Sequence, residues 1–420
     1  MRRRGHGTIG ADMPSPSATS RGLVALTFAF SLSQFFRSCL AVIAPELQHD
    51  LALSPAGFGA LSSCFFLAFA VAQVPVGVAF DRWGVGRPSR WLLAIGVVSA
   101  ALLVAAPNGA VAMVAQAGLG LACAPVFMGL MHYAAEQLPP ARFAAFISRA
   151  NAVGMVGSLV ATAPLGWAAH RIGWRPAIAL GGVAMLLACI GVWRHVRDQG
   201  HALARQESPA AMVLASAGLL RRRALWTLIP MCIAMAAGTS FRNAWGGPYF
   251  AQVFGLGADA RGLALMVVSA GGILGALTIP LVVRRSSLRA TVAGWTAFSF
   301  SAALALTAWP AVGLALDLTL LTFVVTAGML HPLVMSHGRA LVPAALRGRG
   351  LGVLNTCVFL GSAGASWAFG LIAEAGQRRG WPVDGAFAAI FGCAAALLLA
   401  GLLPYLFSPA PVEEAPSRPS

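Results

Sequence analysis

The stretch QVPVGVAFDRWGVGRPSR, residues 73–90, is a short charged and glycine-rich hinge between two long apolar segments. Its acid Asp81 and the arginines beside it stand where a helix of about 20 apolar residues would leave a hydrocarbon core about 30 Å thick. Asp81 is therefore predicted to mark a membrane edge. The rest of the chain repeats this pattern of long apolar segments joined by polar hinges, which predicts a protein built from membrane-spanning helices.

The composition indicates an integral membrane protein, because 58% hydrophobic residues, 10% charged residues and a mean hydropathy of +0.77 leave too little polar surface for a soluble chain. The net charge of +16 arises from 29 arginines against 13 acidic residues. These arginines are scattered between apolar segments, so they set the orientation in the lipid bilayer rather than bind nucleic acid. The chain has no lysine and therefore no standard nucleotide-binding loop, and we expect no cofactor.

The sequence favours neither an enzyme nor a metal site, because it contains no nucleophile elbow, metal-ligand cluster or pair of catalytic acids. None of the seven cysteines belongs to a C-x-x-C pair, and each falls inside an apolar segment. They are interpreted as small core residues rather than disulfide partners or metal ligands. These residues are Cys39, Cys64, Cys123, Cys189, Cys232, Cys357 and Cys393.

Hydropathy predicts an all-α integral membrane fold with twelve transmembrane helices. The predicted spans are 23–44, 56–80, 91–106, 110–137, 143–169, 176–194, 224–254, 262–283, 291–309, 312–338, 349–373 and 385–407. The predicted organisation is a disordered cytoplasmic N-terminus (1–21), an N-terminal six-helix bundle (22–194), a cytoplasmic central loop (195–223), a C-terminal six-helix bundle (224–407) and a disordered cytoplasmic tail (408–420).

The arginines predict the orientation of these helices. Of the 29, 22 fall on the side of the two termini and five on the other side. Because arginine collects on the cytoplasmic side of membrane proteins, both termini are predicted to be cytoplasmic in a multi-pass protein of the cell membrane. The remaining two, Arg37 and Arg242, lie inside apolar helices.

The two halves of the chain carry matching residues at a nearly constant offset. Several matches fall on same-numbered helices, which indicates a parallel six-plus-six repeat. The pairs separated by 205 residues are Arg37/Arg242, Pro75/Pro280, His132/His337 and Arg142/Arg347, and those separated by 204 are Pro139/Pro343, Asn151/Asn355 and Gly157/Gly361.

The hinge contains the spacing Gly77-x-x-x-Asp81-Arg82-x-Gly84, followed by Arg87 after two intervening residues. This pattern resembles the loop between the second and third helices of the major facilitator superfamily, and the repeat matches the architecture of that family. The resemblance implies two six-helix bundles that rock about a midplane cavity, and secondary transport of a small-molecule substrate by alternating access. We expect a monomer in the lipid bilayer.

The resemblance also implies a role for the hinge. In the family, the acid of this loop faces the start of helix 11, here near Arg349, Gly350 and Leu351. A carboxylate at a helix N-terminus is favourable by about 0.3 to 1 kcal/mol. Asp81 is therefore predicted to be a latch, and its release would accompany opening toward the cytoplasm.

The two arginines inside apolar helices are the strongest substrate-site candidates. An arginine at the centre of a membrane helix costs about 2.5 to 3.5 kcal/mol on insertion scales, so Arg37 and Arg242 need partners or a wet cavity. Their positions resemble the paired arginines of organic-anion and organophosphate transporters in the family, and a guanidinium binds such anions through two parallel hydrogen bonds. The alternative is that each arginine caps backbone carbonyls or pairs with a helix-end acid such as Glu46.

The residues after Arg242 are polar and aromatic. Asn243, Trp245 and Tyr249 are predicted substrate contacts, and Gly246-Gly247-Pro248 is predicted to interrupt the helix. For Trp245, simple packing is an equal alternative.

Three histidines are candidates for proton coupling. His132 and His337 occupy matching places on helices 4 and 10, and His331 lies on helix 10 as well. Because histidine titrates near neutrality, each could carry a proton that moves with substrate. The alternative is a histidine that is hydrogen-bonded to a neighbouring helix.

The sequence thus predicts a transporter of a small organic anion, such as a carboxylate or organophosphate, with proton or ion coupling. The alternative in the same family is a proton-coupled efflux antiporter for drugs or metabolites. Two departures disfavour it: helix 4 lacks the expected basic residue within residues 113–120, and helix 5 has only part of the glycine signature of antiporters.

Overall fold

A computed structural model describes residues 16–198, Gly218, 223–342 and 346–409. Within these ranges the chain is helical, without strands, and forms the predicted all-α arrangement of twelve spans. Eleven of them are continuous and apolar enough to cross a membrane. They are α1 (Pro16–Asp50), α2 (Pro55–Trp83), α3 (Gly86–Ala105), α4 (Gly109–Gln137), α5 (Pro140–Ile172), α6 (Trp174–His195), α7 (223–254, in pieces), α8 (Ala258–Arg285), α9 (Leu288–Ala308), α10 (Leu314–Leu341), α11 (Arg347–Arg378) and α12 (Val383–Tyr405).

Local sequence sets the helix ends. The side chains of Ser54, Asn108 and Ser287 accept hydrogen bonds from backbone N–H groups three residues on, which satisfies otherwise unpaired donors at the starts of α2, α4 and α9. Gly84 and Gly173 end α2 and α5 at φ values of 73° and 85°, a region that favours glycine. Short turns at these points keep consecutive helices antiparallel.

Helix α1 starts earlier than predicted. It begins at Pro16, so residues 16–21 are helical although the sequence placed them in a disordered segment. Hydropathy marks only the part of a helix that lies in lipid, and a helix can continue past that limit through polar residues such as Ser17 and Ser20. Residues 1–15, most of the predicted central loop and residues 410–420 lie outside the described ranges.

The regular α-helical hydrogen bonding of α7 is interrupted by a π-helical turn, and not by the predicted Gly246-Gly247-Pro248 segment. Residues Phe241–Trp245 form a π-helical turn, in which the Gly246 N–H bonds to the Phe241 carbonyl five residues back. A regular α-helix resumes at Gly246. Pro248 has no N–H and its ring would clash with the carbonyl of Ala244, so a widened turn before it accommodates the proline without unwinding the helix.

The first six helices pack together, as do the last six, and the two bundles meet through α1 with α7, α2 with α11 and α5 with α8. We call the side at which α1 begins and α12 ends the terminal face, and the side with the 51–54 turn the distal face. The bundles are in close contact on the distal side. A Cβ atom on Gly247 would lie 1.4 Å from the Ala41 carbonyl oxygen, and one on Gly59 or Gly166 would lie 3.0 Å from the Cα of Gly370 or Gly262.

The bundles separate toward the terminal face. Helix α5 packs on α8 almost entirely through residues 163–172, while Asn151 and Val153 in its terminal half are exposed. In the described ranges, α4 and α10 make no substantial contact with the opposite bundle. The space between the bundles therefore opens toward the terminal face.

Candidate functional site

Helix α1 presents a polar stripe to the space between the bundles. Ser31, Gln34 and Arg37 are spaced by three residues and are partly exposed, whereas nearly all of their neighbours in 29–44 are buried. Residues three apart lie on one face of a helix. This stripe brings Arg37 and two hydrogen-bonding side chains to one wall.

The guanidinium of Arg37 lies between the two bundles. Its central carbon is 4.9 Å from the ring centroid of Phe69 on α2 and 5.2 Å from that of Phe359 on α11, and the two ring centroids are 4.1 Å apart. Cation–π contacts hold a desolvated cation but leave its N–H groups without acceptors. Accordingly, the Nε–H of Arg37 is buried without a hydrogen-bond partner in the described part of the chain.

Arg242 faces the same space from α7, within the π-helical turn. It is the one residue of 241–250 that is not buried. One terminal nitrogen donates to the hydroxyl of Ser158 on α5, at 2.9 Å, while its buried Nε–H has no partner among the described residues. The positive charge of Arg242 acts on Arg37, so the site concentrates like charges.

Among the residues that the structure describes, neither arginine has a carboxylate partner. Across the described residues, the ion pairs of arginine with an acid involve other arginines. Glu46, the acid considered as an alternative partner, binds Arg261 instead. Two membrane arginines without an acidic neighbour form an electropositive site, which suits an anion.

Asn243 has a role at the bundle interface in this conformation. It is buried, and the Ser38 hydroxyl donates to its side-chain oxygen at 3.0 Å. The two residues are repeat equivalents, because each directly follows one of the arginines and they are separated by 205 positions. This hydrogen bond joins α1 to α7 beside both cations.

The structure does not bring Trp245 or Tyr249 to the arginines. Trp245 is buried, donates to the Ser366 carbonyl at 3.2 Å and packs edge-on against Phe58, so it lies in the contact between bundles. Tyr249 is fully buried inside the C-terminal bundle, where its hydroxyl donates to the Asp317 carboxylate.

Of the three histidines, His331 lies nearest the arginines. The charge of Arg37 acts on it electrostatically, and the ring is partly exposed. Its Nε2–H donates to the side-chain oxygen of Asn355 at 3.0 Å, and the Asn355 amide donates to Gln73 at 3.1 Å. This chain of hydrogen bonds runs from α10 through α11 to α2 and joins the bundles.

The other two histidines lie elsewhere. His337 is fully buried, with Nδ1 accepting from the Tyr405 hydroxyl at 2.8 Å and Nε2–H donating to the Pro409 carbonyl at 2.9 Å. Both of its nitrogens are thus engaged in holding the end of α12. His132 is exposed at the terminal end of α4, beside the ring of Phe80.

The hinge residues form the terminal edge of α2. Gly77 lies within the helix, Gly84 ends it, and the side chains of Asp81, Arg82 and Arg87 are exposed. Asp81 has no hydrogen bond or ion pair with the described residues, and its role as a latch stays a prediction. The side chain of Arg349 lies outside the described atoms, so the contact at the start of α11 stays a prediction.

A different acid caps the helix after the hinge. Asp198, which follows α6, accepts hydrogen bonds from the N–H groups of Gly86 and Arg87 at 2.6 and 2.9 Å. Sequence reasoning missed this contact, and it also missed Ser158, Gln73 and the role of Asn355. A signal was available for Gln34, since it is a polar residue three positions before Arg37 in an apolar helix.

The comparisons with known proteins agree with this architecture. The family model described as Major Facilitator Superfamily matches residues 26–366. The solved structure of the nucleoside transporter NupG is similar, with a TM-score of 0.73 and 13% identity over 92% of this chain and 99% of that one. A bacterial homolog of the human lysosomal transporter Spinster gives a TM-score of 0.74 and 16% identity, over 94% of this chain and 97% of that one.

A curated relative from Escherichia coli (strain K12) is named "Probable galactarate/D-glucarate transporter GudP". It is 27% identical over 175 residues, which are 40% of this chain and 39% of that protein. The match therefore spans less than half the length of this relative. The family model, in contrast, spans most of the chain, and the members of the family are transporters rather than enzymes. The chain belongs to the Major Facilitator Superfamily.

Proposed function

We propose that this protein moves a small organic anion across the cell membrane by alternating access, with Arg37 and Arg242 binding the anion. One observation carries the proposal: two repeat-related membrane arginines face the space between the bundles, and no carboxylate of the described residues pairs with either. An anion held between them would offset their repulsion and supply acceptors for the buried Nε–H groups.

The polar side chains around the arginines favour a hydroxylated carboxylate. Gln34 and Ser31 lie on the same stripe as Arg37, and Asn355 and His331 stand opposite on the other bundle. These groups donate and accept hydrogen bonds, which suits hydroxyl groups. The relative named for galactarate and D-glucarate supports the same class, because those sugar acids carry a carboxylate at each end and hydroxyls between.

We further propose that His331 couples a proton to the anion. A proton on His331 adds a positive charge near Arg37 and would strengthen anion binding. Proton and anion would then move together, which is symport. His337 is less suited to this role, because both of its ring nitrogens are engaged in hydrogen bonds at the end of α12.

The terminal face is proposed to be cytoplasmic because it carries most of the arginines. The conformation described here would then be open to the cytoplasm and closed to the outside. Both termini would be cytoplasmic, and a monomer would suffice for transport.

Thermal unfolding of the purified protein with a panel of galactarate, D-glucarate, simple carboxylates, organophosphates and lipophilic cations tests the proposal. A ligand at about 100 times its Kd stabilises the folded state by about 2.7 kcal/mol. We expect stabilisation by one group of anions that is lost in Arg37→Gln and Arg242→Gln. Arg142→Gln, which removes an exposed arginine at the terminal end of α5, is the control, and this variant should still be stabilised by the same anions.

Stabilisation by lipophilic cations that survives both site substitutions would reject the anion site and favour the efflux antiporter. Anion stabilisation that persists in both variants would place the binding site elsewhere in the protein.

A further inference from the structure

A long groove runs along the outer surface of the C-terminal bundle, between α8, α9 and α10. Its volume is about 670 Å³, and small residues, Gly271, Gly275 and Gly294, leave room beside the rings of Trp295 and Phe298. The groove lies on the side of α8 and α9 that carries large exposed apolar residues, so it faces lipid rather than the substrate space. Apolar grooves at this depth accept hydrocarbon chains.

The groove reaches the terminal face at Ser286, directly after the two arginines that end α8. Its lining on α8 includes Gly271, Gly275, Thr278 and Val282, and this helical spacing continues to Arg285. Arg284 and Arg285 are both exposed where α8 ends. One end of an apolar groove is therefore positively charged.

No acid offsets this charge from the elements around the groove. Residues 260–316 contain no aspartate or glutamate. The one acid of α10, Asp317, lies at the distal end of that helix and is buried with Tyr249. The third arginine of this turn, Arg289, lies at the start of α9 and is partly exposed.

The N-terminal bundle supplies a comparison. A groove of about 600 Å³ occupies the repeat-related place between α2, α3 and α4, with Pro75, Trp83 and Trp91 in its lining. Its charged end includes Arg87, but Asp81 is exposed on the same turn region, so the local charge is mixed. The repeat thus produces two grooves of similar size, of which one has a purely positive end.

We propose that the groove between α8, α9 and α10 binds an anionic phospholipid, with an acyl chain along Gly271, Gly275 and Gly294 and the phosphate against Arg284 and Arg285. Basic residues at the cytoplasmic end of membrane helices attract anionic headgroups. The apolar groove fixes the chain, and the arginines select the headgroup. This binding is separate from the substrate site.

Native mass spectrometry of the detergent-purified protein tests the proposal with phosphatidylglycerol and phosphatidylcholine of identical acyl chains. We expect tighter binding of phosphatidylglycerol. Each arginine near the surface contributes about 5-fold to the affinity for an anionic lipid. Arg284→Gln and Arg285→Gln together should therefore lower phosphatidylglycerol affinity about 25-fold and leave phosphatidylcholine unchanged. Arg142→Gln removes an exposed arginine from the same face, away from the groove, and should change the affinity for neither lipid.

Gly294→Leu tests the groove itself. No atom lies within 4 Å of a Cβ placed on Gly294, so leucine enters the groove without a clash inside the protein. It should reduce binding of both lipids, while an unchanged melting temperature shows that the fold is intact. Equal binding of the two lipids, or a preference that survives the double arginine substitution, would overturn the proposal. Unchanged binding of both lipids in Gly294→Leu would overturn the groove as the site.

Discussion

Arg261 of α8 donates to both carboxylate oxygens of Glu46 of α1, at 2.6 Å each. Its Nε–H also donates to the Val42 carbonyl at 2.8 Å, and the Arg261 side chain is 2% exposed. This ion pair joins the two bundles on the distal side. A second polar contact lies nearby, where Glu374 of α11 accepts from the Ser54 hydroxyl at 2.8 Å at the start of α2. Opening of the distal face requires that both contacts break.

Arg261→Gln is expected to shift the protein toward a conformation open at the distal face. Removing one partner of a fully buried ion pair costs about 3 to 5 kcal/mol. Because Glu46 is 35% exposed, Arg261→Gln should cost less than this, and only the distal-closed conformation bears the cost. Amide hydrogen exchange at the distal ends of α1 and α8 should rise. Arg171→Gln, which changes an exposed arginine on the same face, should leave exchange unchanged. Glu46→Arg combined with Arg261→Glu should restore the protection of these amides from exchange. If the swapped pair does not restore it, the ion pair is not the contact that keeps the distal face closed.

Gly247→Ala should abolish the distal-closed conformation. A Cβ at this position would lie 1.4 Å from the Ala41 carbonyl oxygen, so α1 and α7 could not approach as they do. Substrate flux into proteoliposomes should fall at least tenfold. The matched control is Gly364→Ala on α11, where no atom lies within 4 Å of the added Cβ. Alanine favours a helix over glycine by about 1 kcal/mol, so this control should keep flux and gain slight stability. Normal flux in Gly247→Ala would refute the need for this close approach.

His331→Gln should remove the dependence of anion uptake on pH. In the native protein, uptake should increase as the pH falls, because the protonated ring adds positive charge near Arg37. Glutamine can still donate to Asn355 but cannot take up a proton. His337→Gln should instead lower the melting temperature and leave the pH profile unchanged, since that ring bonds Tyr405 and Pro409. A flat profile in the native protein would contradict coupling through His331.

Asp198→Ala should destabilise the turn that follows the hinge. The carboxylate accepts from two backbone N–H groups at the start of α3, and loss of such a cap costs about 0.5 to 2 kcal/mol. Asp81→Asn should leave thermal stability nearly unchanged, because Asp81 is exposed and unbonded to the described residues. It should nevertheless slow flux if the carboxylate is a latch in the other conformation. Calorimetry and proteoliposome flux on the same two variants separate these roles, and equal destabilisation by both would contradict the assignment.

Hydropathy was sufficient to predict the twelve spans, because lipid requires every spanning segment to be apolar and helical. The repeat was also visible, since Arg37 and Arg242 share one offset with other pairs. These two features locate the centre of the candidate site. A charge in an apolar helix is unusual for its surroundings, and this is what singles out Arg37 and Arg242 in the sequence.

The sequence could not show which residues meet across the interface. Glu46 and Arg261 each look like an ordinary charge at a helix end, and only packing of α1 against α8 brings them together and buries Arg261. The side chain of Tyr249 turns into its own bundle because Asp317 provides an acceptor there. The π-helical turn likewise depends on how the helix accommodates Pro248 in tertiary context. The Glu46–Arg261 and Tyr249–Asp317 contacts join residues far apart in sequence, and no local pattern encodes them.

The Ser38–Asn243 hydrogen bond joins the bundles at the residues that directly follow the two cations, and a tilt of the bundles about this bond would make it the pivot. When one bundle tilts against the other, points near the pivot move least and points at the two faces move most. A solute held by Arg37 and Arg242 would stay almost still while the barrier shifts from one side of it to the other. Transport would then require almost no movement of the bound solute. Closing one face and opening the other would by itself change the side of the membrane to which the solute is exposed.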